Sequence, residues 1–137
     1  MSEPVGEARG EATGEARRRR GAQAHAAGHM AEEAAARRYE DRGLAVAARR
    51  WRSPAGEVDL ILRDGPALVF VEVKRAATLE GAAHRLTRRQ MDRLLLAAQA
   101  FCAAEPQGLL TAMRFDLALV DAHARVHVVE NAFGEGW

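Results

Sequence analysis

Apolar positions along this chain change spacing several times, and each change predicts an element. From Met30 to Tyr39 helix formers dominate, with Met30, Ala31, Ala34, Ala35 and Arg38 on one stripe and Gly43 as a C-terminal stop. Leu44 to Trp51 predicts a first strand, and Ser53-Pro54-Ala55-Gly56 a turn. Glu57–Leu62 and Leu68–Lys74 are rich in β-branched and aromatic residues; Asp64-Gly65-Pro66 between them predicts a hairpin. Thr87-Arg88-Arg89-Gln90 has the form of a capping box, opening a helix to about Ala104. Met91, Leu94, Leu95, Ala98 and Phe101 should be its core face, and Pro106 and Gly108 end it. Phe115–Val120 and Arg125–Val129 predict two last strands, the second at an edge. The order αβββαββ describes an α/β (α+β) domain.

Residues 1–28 repeat Gly, Glu, Ala and Arg and offer almost nothing to bury, which predicts a disordered tail ahead of a single domain over 29–137. No apolar run approaches the roughly 20 residues of a bilayer span, so no membrane partner is expected. The chain also lacks an N-terminal apolar signal core, and a cytoplasmic location follows as an expectation. Cys102 is the single cysteine, which excludes an intrachain disulfide framework and a multi-cysteine zinc site. His25 with His29 and His123 with His127 have i, i+4 spacing but no third ligand nearby. Cys102 and Trp51 are expected to pack in the core, and Asp116 to be a structural acid pairing with Arg114 or a helix terminus.

Charge changes the picture in one respect. Of 20 basic residues, 19 are arginine and the single lysine is Lys74. Strand alternation puts Val69, Val71 and Val73 on one face and Phe70, Glu72 and Lys74 on the other. In the preceding strand Glu57, Asp59 and Ile61 share a face, opposite Val58, Leu60 and Leu62. A loop of Asp64–Ala67 pairs Arg63 with Leu68 and sets Asp59 opposite Glu72. Two carboxylates so placed repel unless a cation lies between them. Hard oxygen ligands on few carboxylates suit Mg²⁺, and a lysine beside them can stabilise a nucleophile or a developing phosphorane. An exposed sheet face decorated with charge is the plain alternative.

Gly56-Glu57-Val58-Asp59-Leu60-Ile61 followed by Val69-Phe70-Val71-Glu72-Val73-Lys74 resembles the bacterial YraN-type family, which is similar to Holliday-junction resolvases of the PD-(D/E)XK nuclease superfamily. The likeness runs from about Gly28 to Phe133. It includes Glu32-Glu33 with Ala35, Arg50-Trp51-Arg52, Arg114-Phe115-Asp116 and Asn131-Ala132-Phe133. It implies a restriction-endonuclease-like core, a mixed sheet flanked by helices, with the site on the hairpin strands. By matching position it implies Asp59 and Glu72 as metal carboxylates and the Val73 carbonyl as a further ligand of Mg²⁺ or Mn²⁺. Lys74 would be the catalytic lysine and Glu32 the first-helix acid that supports it; helical phase alone leaves Glu32 and Glu33 both open. Gln90 is a further catalytic candidate, since the family commonly has a lysine near it and related nucleases use glutamine on that helix. The chain departs from the family at Arg75-Ala76, where Thr-Arg is frequent, and at Ala31, where glycine is usual. A DNA partner and a homodimer are further implications.

From Lys74 to Arg93 six cations (Lys74, Arg75, Arg85, Arg88, Arg89, Arg93) face two acids, a balance of +4 in a domain otherwise near neutral. Arg75, Arg85, Arg88, Arg89 and Arg93 are therefore candidates for phosphate-backbone contact. The expected function is a Mg²⁺-dependent nuclease-like enzyme acting on nucleic acid. A non-catalytic nucleic-acid-binding module is the alternative, and a protein-interaction module a third; no organic cofactor is expected.

Overall fold

The computed structural model describes residues 3–76 and 87–132, with side chains from residue 14 onward except Ala24. Two units are distinguished, residues 1–30 and residues 31–137. Helix α1 runs Glu3–Glu40. Residues 3–28, expected as a disordered tail, are thus helical. Ala, Glu and Arg have high intrinsic helix propensity, a local preference that needs no core.

The sheet unit contains β1 (Ala45–Ser53), β2 (Gly56–Asp64), β3 (Ala67–Arg75), helix α2 (Arg88–Cys102), a 3₁₀ turn (Gly108–Leu110), β4 (Met113–Val120) and β5 (Val126–Val129). With α1 the order is αβββαββ. The sheet is mixed and runs β1-β2-β3-β4-β5, with β5 at an edge as predicted. All neighbours are antiparallel except β3 and β4, which are parallel. Parallel neighbours cannot be joined by a tight turn, and α2 lies within the connection between them.

β3 is the middle strand, and Leu68, Val69, Phe70 and Val71 along it are fully buried or nearly so. Such an unbroken apolar run requires cover on both faces. One face packs Ile61, Phe70, Phe115 and Leu117 against Met91, Leu94, Ala97, Ala98 and Cys102 of α2. Trp51 meets Phe101 edge-on there, ring centroids 5.3 Å apart. The opposite face packs Leu60, Leu62, Val69 and Val71 against Ala35, Ala36 and Tyr39 of α1. Each large side chain so buried contributes about 1.5–3 kcal/mol.

Two predicted faces are corrected. The buried stripe of α1 is Ala31, Ala35, Ala36 and Tyr39, while Met30 is 65% exposed. Tyr39 reaches a buried partner described below, and that bond sets the rotation of the helix. On α2, Leu95 is 42% exposed and Ala97 and Cys102 are buried instead. Ala97 and Ala98 are both fully buried against the sheet, so the core face of the helix lies to one side of Leu95. Gly43 ends α1 as expected, at φ +92 with its N–H on Glu40.

The β2–β3 hairpin closes through Gly65-Pro66, one residue pair tighter than the predicted loop, because Asp64 also pairs with Ala67. Gly65 takes φ +60, the conformation a two-residue hairpin turn demands of its first position. The expected register survives: Arg63 pairs with Leu68 and Leu60 with Val71.

Candidate functional site

Beyond Leu60 and Val71 the ladder between β2 and β3 stops, although β3 continues beside β4 to the pair Arg75–Val120. The sheet forks there, with Asp59 on one prong and Glu72, Val73 and Lys74 on the other. In place of a ladder carbonyl, Asp59 Oδ2 accepts the Val73 N–H at 2.8 Å. The side chain thereby satisfies a backbone donor that the parting strands would leave without a partner.

The β1–β2 ladder also has a gap at this level, although its one register shift lies earlier, between Val46 and Ala48. The register pairs Arg49 with Leu60 and Trp51 with Val58, and skips the intervening step of Arg50 opposite Asp59. Arg50 has φ +46, a left-handed conformation uncommon for a residue with a side chain. Strict alternation is lost as a result. Val58 packs in the α2-side core with Ile61, not with Leu60 and Leu62 as expected. Arg50 Nε donates to Glu32 Oε2 of α1 at 2.7 Å, and the neighbouring Arg49 bonds Glu33. Each helix acid thus has an arginine partner, and the charge of Glu32 is among those that raise the Asp59 carboxyl.

Asp59 and Glu72 are both largely buried, and burial raises both carboxyls above their ordinary range. Asp59 is pushed up to about 7, first by burial and then by the charge of Glu72, with the Val73 N–H pulling the other way. Glu72 is restrained by Lys74, whose Nζ lies 3.4 Å from Glu72 Oε1, and by a hydrogen bond with Asp59. Glu57 and Glu32 add further negative potential at Asp59. Glu57 itself is exposed and lies 3.6 Å from Arg52.

The fork brings together Asp59, Glu72, Val73 and Lys74, with Glu32 and Glu57 in electrostatic reach. Gln90 is engaged at the start of α2: its Oε1 accepts the Thr87 N–H while Thr87 Oγ1 accepts the Gln90 N–H, the capping box that opens the helix. Arg88, Arg89 and Arg93 are exposed on that helix, with Arg88 paired to Asp92 at 3.7 Å. The backbone of Arg93 backs onto Gly56 in the β1–β2 turn. Arg75 is exposed at the end of β3, and Arg85 lies outside the described residues.

A second carboxylate in an apolar strand has a different fate. Asp116 is fully buried in β4 and accepts from the Tyr39 hydroxyl at 2.8 Å, Arg114 Nε at 3.0 Å and the Asn131 N–H at 2.9 Å. The expected pairing with Arg114 is present. Burial, followed by the Asp116 charge, raises the Tyr39 phenol well above its ordinary value. Arg114-Phe115-Asp116 and Asn131-Ala132 therefore tie α1 to the end of the sheet. In sequence Arg50 is visible only within Arg50-Trp51-Arg52 of the family resemblance, with no partner assigned to it; its bond to Glu32 depends on residues far apart in the chain.

Comparison with known proteins accords with this reading of the chain as one family unit. A family model described as "Uncharacterised protein family UPF0102" matches residues 31–120. A UPF0102 protein of Cereibacter sphaeroides is 58% identical over 107 residues, covering 78% of this chain and 92% of the relative. One from Ruegeria pomeroyi is 53% identical over 117 residues, 85% of this chain and 95% of the relative. One from Dinoroseobacter shibae is 44% identical over 115 residues, 84% and 86% respectively. The matched segment holds the fork, the Glu32–Arg50 pair and the Tyr39–Asp116 bond, and the chain belongs to the UPF0102, or YraN, family.

Proposed function

We propose that this protein is a nucleic-acid-binding, Mg²⁺-dependent endonuclease-like phosphodiester hydrolase, acting on DNA and in particular on branched DNA. One juxtaposition carries the reading: at the fork, Asp59 is held by the Val73 N–H at 2.8 Å while Lys74 Nζ stands 3.4 Å from Glu72. Two half-buried carboxyls, each raised by burial, form a hard-oxygen donor set short of positive charge. Among the described residues no group of three or more His, Cys, Asp or Glu is arranged to hold a metal. The chain thus offers two carboxylates, and a backbone carbonyl such as that of Val73 and solvent would complete a shell. That donor set fits Mg²⁺ or Mn²⁺, which is commonly held by one or two carboxylates and keeps several waters. When bound, such an ion polarises a phosphoryl oxygen and makes water a better nucleophile.

The chain's own groups supply position and charge. The parting of β2 from β3 gives a phosphodiester an approach that a continuous ladder would close. Glu72 orients the Lys74 ammonium, which offsets charge developing on the phosphoryl oxygens during in-line attack. A compact ammonium serves here where the planar guanidinium used at every other basic position would not. Exposed Arg88, Arg89 and Arg93 suit phosphate-backbone contact, which sets register without reading sequence. The resolvase-like resemblance supports a branched substrate.

A non-catalytic nucleic-acid-binding module is the second reading, favoured by the engagement of Gln90 in the helix cap. One experiment separates the two. Purified protein is incubated with linear and four-way-junction DNA in Mg²⁺ or Mn²⁺, beside Asp59→Ala and Lys74→Ala. The proposal expects cleavage by the wild type that both substitutions abolish. Cleavage that survives either one sinks the mechanism, and binding without cleavage establishes the second reading.

A further inference from the structure

Arg50 stands at a step of the β1–β2 ladder where no pair forms. The register sets it opposite Asp59, between the pairs Arg49–Leu60 and Trp51–Val58. Its φ of +46 is a left-handed conformation that is strained for a residue with a side chain. If only the bend mattered, glycine or asparagine would serve without that strain. An arginine at this position requires a use for its side chain.

The guanidinium has such a use available. Its hydrogen bond to Glu32 engages Nε at 2.7 Å. Among the described residues its two terminal nitrogens make no other hydrogen bond, and the side chain is 34% exposed against 18% for Glu32. A planar pair of N–H donors thus remains open to a bidentate acceptor, which carboxylates and phosphates provide. Glu57 and Asp59 both act on Arg50 electrostatically, so the group borders the fork. There four carboxylates (Glu32, Glu57, Asp59, Glu72) face three cations, Arg50, Arg52 and Lys74, of which Lys74 already pairs with Glu72 and Arg52 with Glu57. An anionic diester entering so acidic a place needs a second cation with donors to spare. Arg49 and Arg52 do not answer, since they pair with Glu33 and the exposed Glu57.

We infer that Arg50 is a phosphate-contacting residue of this site, held in place by Glu32 through Nε and presenting its terminal nitrogens to a phosphodiester lying along Asp59 and Glu72. The inference rests on the reading of the fork as a phosphodiester site. Glu32 then acts as a positioning residue that aims Arg50.

The test uses the full chain and fluorescein-labelled four-way-junction DNA. Affinity is measured against salt with Ca²⁺ in place of Mg²⁺, and cleavage is measured with Mg²⁺. The variants are Arg50→Asn, which keeps the left-handed backbone comfortable, Arg50→Lys, and Arg49→Gln as a charge-matched control one residue away. Urea midpoints verify that each is folded. Arg50→Asn should slow cleavage about 100-fold or more and reduce the slope of log affinity on log salt by about one. Arg50→Lys should recover the slope but not the rate, and Arg49→Gln should match the wild type. Arg50→Asn behaving like Arg49→Gln in both measurements overturns the inference. Should the wild type bind without cleaving, hydrolysis falls and the salt slope alone decides Arg50. Absence of salt-sensitive binding by the wild type removes the site reading and this inference together.

Discussion

The Asp59 carboxylate accepts the backbone N–H of Val73 at 2.8 Å, one step past the last β2–β3 pair of Leu60 with Val71. A side chain thus takes over where the ladder ends, and the carboxyl that does so is raised well above its ordinary range. That arrangement makes the protein's response to pH readable.

In metal-free protein, Asp59 has a folded-state pKa of about 7, against roughly 3.9 in an unfolded chain. Between those values the folded state holds the proton and the unfolded state does not, so stability falls as pH rises. The contribution is whole below about pH 4 and is lost as pH passes 7. Urea midpoints in a chelator should therefore decline from pH 5 to pH 8. Asp59→Asn keeps a carbonyl oxygen for the Val73 N–H and removes the charge, so its profile should be flatter over that range. Parallel profiles would refute the assignment. At pH 8, Mg²⁺ should raise the midpoint of the wild type and leave that of Asp59→Asn unchanged.

Tyr39 is the chain's single tyrosine, so ultraviolet titration of phenolate reports on it alone. Its folded-state pKa is raised by burial and by Asp116. The stability it contributes is present below about pH 10 and is lost as pH rises toward the folded value. No phenolate signal should appear until the protein unfolds, so absorbance and circular dichroism should change together. A phenolate transition near pH 10 with the fold intact would contradict the Tyr39–Asp116 bond.

Removing that bond should be costly because Asp116 is fully buried. Tyr39→Phe leaves the carboxylate with Arg114 and the Asn131 N–H and should lose about 1–3 kcal/mol in urea denaturation. Asp116→Ala leaves Arg114 and the Tyr39 hydroxyl without their shared acceptor and should lose more, about 3–5 kcal/mol. Equal midpoints for Tyr39→Phe and wild type would show that the helix is held by apolar packing alone.

Helix α2 has no acidic residue in its first turn and carries Arg88 and Arg89 there, which opposes the helix dipole. The capping box must offset this. Thr87→Ala should destabilise the protein by about 1 kcal/mol, while Thr87→Ser, which retains the hydroxyl acceptor, should lose much less. The comparison is made by thermal melts of both variants. A cost for Thr87→Ser equal to that of Thr87→Ala would show that the hydroxyl is not what matters.

Much of this was legible in the chain because it depends on neighbours in sequence. Helix and strand periods, the Thr87–Gln90 box and the stop at Gly43 are local, and they set the order αβββαββ. Gly65-Pro66 is a local turn, and the register it imposes carries Asp59 to the level of Glu72 without help from the rest of the fold. The excess of arginine made Lys74 visible for a similar reason, since composition needs no coordinates.

Tertiary structure decided what depends on distant partners. Glu72 and Asp116 are both carboxylates in apolar strands, and sequence alone assigns Asp116 a structural role with Arg114 without naming its other partners. Asp116 is closed over by Tyr39, Arg114 and Asn131. Glu72 opens onto a fork because β2 leaves β3 beyond Val71. The same is true of Arg50, whose left-handed backbone and bond to Glu32 arise where two strands and a helix meet. It is true also of the exposure of Leu95, since the helix face that packs on the sheet is the one carrying Ala97 and Ala98. Local periodicity determined which elements form and which residues are level with one another; only packing between elements determined which of those carboxylates is sealed by distant partners and which lies where two strands part.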